Sequence, residues 1–349
     1  AEAIAIKGER ILAVGRTEAI AEFVSPQTQQ INAAGRLVVP GLIDGHAHMD
    51  REGLKDTLPS LAGCRSINEI CERIRHLTEE TPPGVWIVTM PVGEPPFYQD
   101  VPALLSEGRF PDRHDLDRVA PNHPVYIRAI WGHWRNTLPL VSIANTRALE
   151  RAGITSATQS PSANIHIEAN SPGGQLTGRF FESLYKPLVE KTLMACIPRF
   201  TLEQRITGLQ RSMQVYNSYG TTSVFEGHGV AGEVLAAYQD LRATGPLPVR
   251  ANLMFSPAWP NVDAAAVKDL LLDWGRWLAG RGLGDEYLRM AGLYSEADYS
   301  GENRLRALCG PYTGWAGFNF DAARPEAVMV EMMVEAARAE IRVGSFGAN

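Results

Sequence analysis

No two of the four cysteines (Cys64, Cys71, Cys196, Cys309) are spaced as C-x-x-C. This excludes a disulfide framework and a zinc knuckle and fits a reducing compartment, so the chain reads as cytoplasmic. A basic excess is missing too. Lys and Arg number 33 against 39 Asp and Glu, a net charge of −6, and nucleic acid is not an expected partner. No apolar run approaches the roughly 20 residues of a membrane helix. The opening AEAIAIKGERILAVG lacks the basic start and small-residue cleavage site of a signal peptide. Short-period repeats and low-complexity tracts are absent as well.

What remains is an ordinary globular composition, 45% hydrophobic and 21% charged. Residues 1–40 alternate and turn like a small sheet: AIAI, a turn at Lys7-Gly8-Glu9-Arg10, ILAVG, and a further strand at Arg36–Val39. From Gly41 the texture changes to helices alternating with short apolar strands. Helices are expected at 67–80, 201–219, 230–243, 263–279 and 325–339. Strands are expected at 85–90, 124–130, 221–225, 249–255 and from 340. Ser66 is the N-cap of the first helix, with Glu69 completing a capping box. Such alternation implies a parallel sheet, and this many repeats favour an α/β fold of the TIM type, a closed (β/α)8 barrel over 41–349. The Pro/Gly-rich stretches around 81–111 and 155–178 read as long functional loops.

His46 and His48 sit two apart in the stretch Gly41–Asp50, which follows a Pro-Gly turn and reads as a buried strand ending in polar residues. Side chains at i and i+2 of a strand share a side, so both imidazoles can reach one metal. Imidazole is a common zinc ligand, and the C-terminal strand ends are where barrels place catalytic groups. Asp44 reads as a hydrogen-bond partner. His76, His114 and His123 lie in polar settings and read as solvated, and His166 reads as a strand residue with one exposed face.

Pro40-Gly-Leu-Ile-Asp-Gly-His-Ala-His48 resembles the first-strand motif of the amidohydrolase superfamily. The chain is similar to the metal-dependent branch that includes N-substituted formamide deformylases. Leu116-Asp117, Asn145-Thr-Arg-Ala-Leu149, Gly174-Gln-Leu-Thr-Gly178 with Glu182, and Gly220-Thr-Thr-Ser-Val224 carry the likeness. The resemblance implies a (β/α)8 barrel with a small N-terminal β-sandwich-like sheet. It also implies a divalent metal, zinc first with iron or manganese as alternatives, in one or two ions. His46, His48 and Glu182 are the metal ligands so implied, Glu182 having an exposed helical glutamate as its alternative. His133 with its neighbour Trp134, and His228, are candidate substrate-binding residues, with metal contact an alternative for both histidines. Glu226, two residues before His228, reads as a charge that could merely solvate the loop. Trp86, Trp131, Trp134, Trp259 and Trp315 suit a bulky apolar substrate or ordinary core.

The expected function is hydrolysis of a non-peptide carbon–nitrogen bond in an amide, formamide or cyclic amide by metal-activated water. The alternatives are a non-catalytic binding protein on the same barrel, and an esterase or deaminase. The partner is a small-molecule substrate, with neither nucleic acid nor membrane, and a homodimer is the default assembly. No histidine follows His228. The later histidines and the general-base aspartate that the resemblance implies are therefore expected beyond this sequence, as are the last barrel strands and an earlier N-terminal strand.

Overall fold

The computed structural model describes residues 1–55, 57–95, 98, 100–129, 138–183, 188–256, 266–269, 271, 275–298 and 326–348. The chain divides into two units, Ala1–Pro40 and Gly41–Asn349. In the first, β1 (Ala3–Lys7) and β2 (Arg10–Gly15) form an antiparallel hairpin, followed by the short helix α1 (Thr17–Ile20). Gly8 turns the hairpin at φ +59, a backbone region that glycine occupies without cost. The expected sandwich-like sheet is reduced to this hairpin. Arg36–Val39 joins no sheet, and Leu37, Val38 and Val39 are exposed.

In the second unit the parallel sheet is built from strands far apart in sequence. β3 (Leu42–Asp44), β9 (Thr221–Val230), β10 (Arg250–Phe255), β12 (Leu288–Asp298) and β13 (Arg342–Ala348) lie side by side in that order, every neighbouring pair parallel. The two-residue strand β11 (Leu283–Gly284) pairs antiparallel with the start of β12. Helices α7 (Leu202–Ser218), α8 (Gly232–Ala243) and α9 (Glu326–Arg338) close the core against the sheet. Leu209, Met213, Val234, Tyr238, Leu241, Met329 and Met332 meet Val224, Ala251, Leu253 and Leu293. Each such buried aliphatic contributes about 1.5–3 kcal/mol relative to exposure. The result is an α/β fold with a curled half-barrel of parallel strands, where a closed barrel was expected. β3 is also less covered than expected: Leu42 and Ile43 are exposed and only Asp44 is partly buried.

The missing strands of the expected alternation form a second sheet, inserted between β3 and β9. Its order is β4 (Ile87–Thr89), β5 (Val125–Ile127), β6 (Leu140–Ala144), β8 (Leu176–Glu182) and β7 (Ile165–Ala169). Only β4 and β5 run parallel; the other three pairings are antiparallel. The stretch 155–178, expected as a loop, instead contains β7 and the start of β8. Helix α3 (Ile67–Glu80) covers one face with Ile67, Ile70, Cys71 and Ile74. Helix α5 (Thr146–Ala152) lies in the core of the other face with Tyr126 and Phe180. Ser66 does cap α3, accepting from the Glu69 amide at 3.2 Å. Glu69 instead accepts from the Arg65 amide at 2.6 Å, so the capping box is left half-built.

Several residues that carry the family likeness hold this mixed sheet together. Asn145 accepts from the amides of Val125 and Ala148 and donates to the carbonyls of Ala120 and His123. Asp117 accepts from both the amide and the hydroxyl of Thr146. His123, expected to be solvated, is buried, with Nε2 2.9 Å from the Thr81 carbonyl.

Candidate metal centre

Three imidazoles converge at the C-terminal ends of β3 and β9. His46, His48 and His228 have potential ligand atoms all within 4.8 Å of one another. Their ring centroids lie 4.9 Å (46–48), 5.5 Å (48–228) and 6.1 Å (46–228) apart. They are the one group of three or more potential metal ligands among the described residues. His46 is exposed, His48 half-buried and His228 buried, so the cluster has one solvent-facing side.

The first pair lies just past its strand, where the sequence pattern had placed it at the strand end. β3 stops at Asp44, His46 sits in a bend, and His48 occupies the N-cap position of α2 (Met49–Leu54), with φ −133 and ψ 48. Asp44 fixes the bend by accepting from the His46 amide at 3.0 Å. The Ala47 amide then donates to the Phe225 carbonyl at 2.9 Å, which lays the loop along β9. Convergence thus comes from a strand exit pinned to a neighbour, where strand alternation had been expected to supply it.

His228 is delivered by a bulge. β9 and β10 pair at Glu226–Leu253 and next at Val230–Phe255, so β9 spends more residues than β10 across the same span. A bulge re-aims side chains at a sheet rim. Glycines flank the bulged histidine. Gly229 has φ +82, and a Cβ there would lie 2.6 Å from the Tyr294 side chain. A Cβ on Gly227 would lie 3.3 Å from His46 Nδ1. Tyr294 of β12 stacks on the His228 ring, centroids 5.1 Å apart at 28°. Gly229→Ala is accordingly expected to destabilise the protein by about 2–4 kcal/mol, combining a strained backbone with overpacking. Thermal unfolding checks this, and an unchanged midpoint would mean that the bulge does not depend on the glycine.

Charged groups lie close to the triad in the chain. Glu226, Asp50 and Arg51 are buried. Burial, then the nearby Asp50, pushes the Glu226 carboxyl up to about 8. Burial also raises Asp50 and works against the charge of Arg51, which Asp50, Glu226 and Glu52 support. Arg51 Nη2 is hydrogen-bonded to His48 Nδ1. A guanidinium only donates, so Nδ1 presents its lone pair there. Glu226 reads from the sequence as a charge that could merely solvate the loop; its burial removes that option. The signal that could have exposed it is its position two residues before His228, directly after the apolar pair Val224-Phe225.

Of the other expected site residues, Glu182 stands apart from the triad. Glu182, expected beside His46 and His48, closes β8 in the mixed sheet, in register with Leu140 and Ile165. It is buried, neither helical nor exposed, and its Oε1 accepts from the Val189 amide at 3.0 Å. It is not among the clustered ligands. His133 and Trp134 lie outside the described residues, as do Trp131, Trp259 and Trp315. Trp86 packs partly buried against the core of the mixed sheet. No helix among the described residues is long and apolar enough to cross a membrane.

Comparison with known proteins follows the same lines. A profile described as "Amidohydrolase family" matches residues 29–345. The N-substituted formamide deformylase of Arthrobacter pascens is 26% identical over 253 residues, which are 71% of this chain and 43% of that protein. Protein LONG AFTER FAR-RED 3 of Arabidopsis thaliana is 26% identical over 226 residues, 65% of this chain and 35% of that protein. The chain therefore spans less than half the length of these curated relatives. The crystal structure of an uncharacterized metal-dependent hydrolase from Pyrococcus horikoshii OT3 superposes with a TM-score of 0.57 at 21% identity, over 99% of this chain and 61% of that one. At that identity the likeness is one of fold.

Proposed function

Since the chain belongs to the amidohydrolase family, we propose that it is the metal-binding portion of a hydrolase that cleaves a carbon–nitrogen bond of an amide, formamide or cyclic amide. The observation that carries this is the convergence of His46, His48 and His228 at one rim of the parallel sheet. The donor set fits a divalent ion. Nitrogens that share a tetrahedral zinc lie about 3.3 Å apart, given zinc–nitrogen bonds of about 2.0–2.1 Å. The triad therefore needs only side-chain adjustments to close on an ion. Three nitrogen ligands with an open side suit zinc better than calcium or magnesium, which prefer oxygen.

A bound ion supplies Lewis-acid chemistry, polarising a carbonyl and easing the ionisation of water. The chain's own residues shape the rest. His46 keeps the open face of the triad toward solvent, the side from which a small substrate can arrive. His228 and Tyr294 form the buried wall, and their stacking limits how far the imidazole can swing. The choice of a carbon–nitrogen bond is supported by the family and by the formamide deformylase likeness.

Elemental analysis of freshly purified protein, joined to a hydrolysis panel of formamides, amides, lactams and esters, tests the reading. Near-stoichiometric zinc is expected, with turnover of a formamide or amide that a chelator removes and added zinc restores. Absence of bound metal together with no hydrolysis across the panel rejects it. Turnover confined to esters keeps the metal site and rejects the bond type.

A further inference from the structure

One buried carboxylate connects the two halves of the triad. Glu226 Oε1 accepts from the Met49 amide at 2.7 Å and from the Tyr238 hydroxyl at 3.1 Å. Met49 is the first residue of α2, immediately after His48, and Glu226 precedes His228 by two residues on β9. The first amides of a helix have no partner within the helix, so whatever accepts from them sets where the helix begins. Here the acceptor belongs to the strand that carries the third imidazole, and Tyr238, on α8, holds the same oxygen from the other side. The backbone bond from the Ala47 amide to the Phe225 carbonyl also ties the loop to β9, and any sequence could make it; the bond to Glu226 depends on a particular side chain.

We infer that Glu226 is a positioning residue that locks His48 and His228 into one ligand set, by bridging the start of α2 to β9 through its side-chain oxygen. The inference rests on the reading of the triad as a metal site. Outer-sphere partners of this kind typically set metal affinity by about 10–100-fold. An acceptor oxygen is what the role requires, so Gln should serve and an apolar residue of similar length should not.

The test is competitive chelator titration with zinc on the wild-type chain, Glu226→Gln and Glu226→Met, with the visible spectrum of the cobalt-loaded proteins as a second readout. Glu226→Met is expected to weaken zinc binding about 10–100-fold and to change the cobalt spectrum, whereas Glu226→Gln stays within about threefold of wild type. A folded Glu226→Met with wild-type affinity and spectrum overturns the inference. So does an equal loss in both variants, which would mean that the charge matters and the bridge does not. If Glu226→Met does not fold, amide exchange at Met49 in the wild-type protein decides. Slow exchange, with affinity kept in Glu226→Gln, supports the bridge; exchange as fast as in an unstructured peptide overturns it. A wild-type chain that takes up no zinc removes the metal reading, and the Met49 exchange then judges the bridge separately.

Discussion

Replacing His228 with alanine is expected to weaken zinc binding by more than the ~100-fold upper range of outer-sphere changes, and to abolish any metal-dependent turnover. The reason is the geometry of the triad. His46 and His48 come from one short loop, and two imidazoles leave an ion with half of a tetrahedral shell unfilled by protein. His228 is the third, held by a bulge and by the ring of Tyr294. Its loss should match that of His46→Ala or His48→Ala in chelator titrations, while unfolding stays cooperative. Zinc affinity in His228→Ala within tenfold of wild type would show that the triad is not the ligand set.

A large loss of stability is expected from Gly53→Ala. A Cβ at Gly53 would sit 1.9 Å from the Gly208 carbonyl oxygen, so α2 and α7 pack backbone to backbone. No side-chain rearrangement can relieve a clash with a main-chain atom, and the helices must separate. The cost is expected to exceed the usual overpacking range of about 1–3 kcal/mol. Because His48 sits at the N-cap position of α2, zinc affinity should fall along with the thermal midpoint. A thermal scan paired with a zinc titration tests both, and a variant as stable as wild type would mean that this crossing is looser than its spacing indicates.

Much of the local architecture is legible in the sequence because local chemistry decides it. Helix α3 runs over Ile67–Glu80, its apolar residues spaced for one face and Ser66 at its start. Helices α7, α8 and α9 and strand β10 fall where periodicity puts them, within a residue or two. What alternation cannot report is which sheet a strand joins. β4 and β5 look like barrel strands, but β5 pairs antiparallel with β6, and nothing short-range distinguishes the two outcomes. Of the two strands in the Gly/Pro-rich stretch, β7 showed only in the alternation around His166, and β8 was hidden by the glycines around it, which read as loop. At the site, the H-x-H pair is visible because its two residues are neighbours. His228 is harder to find, since its nearness to them depends on the pairing of β3 with β9. Its flanking glycines were the available clue, a pattern that suits a bulge as well as a loop. Glu182 is the opposite case: a motif residue whose carboxyl accepts from the Val189 amide, in a short helix after β8, apart from the triad.

The pairing of β3 with β9 has a consequence for how the protein acquires its chemistry. The whole mixed sheet lies between these two strands, so bringing them together closes a very long loop, and the entropy of that closure must be met before the contact yields any return. The imidazoles therefore cannot assemble during early local folding. A nascent chain should be unable to capture zinc tightly until this long-range registration is complete, and metal uptake during refolding would time the arrival of native topology.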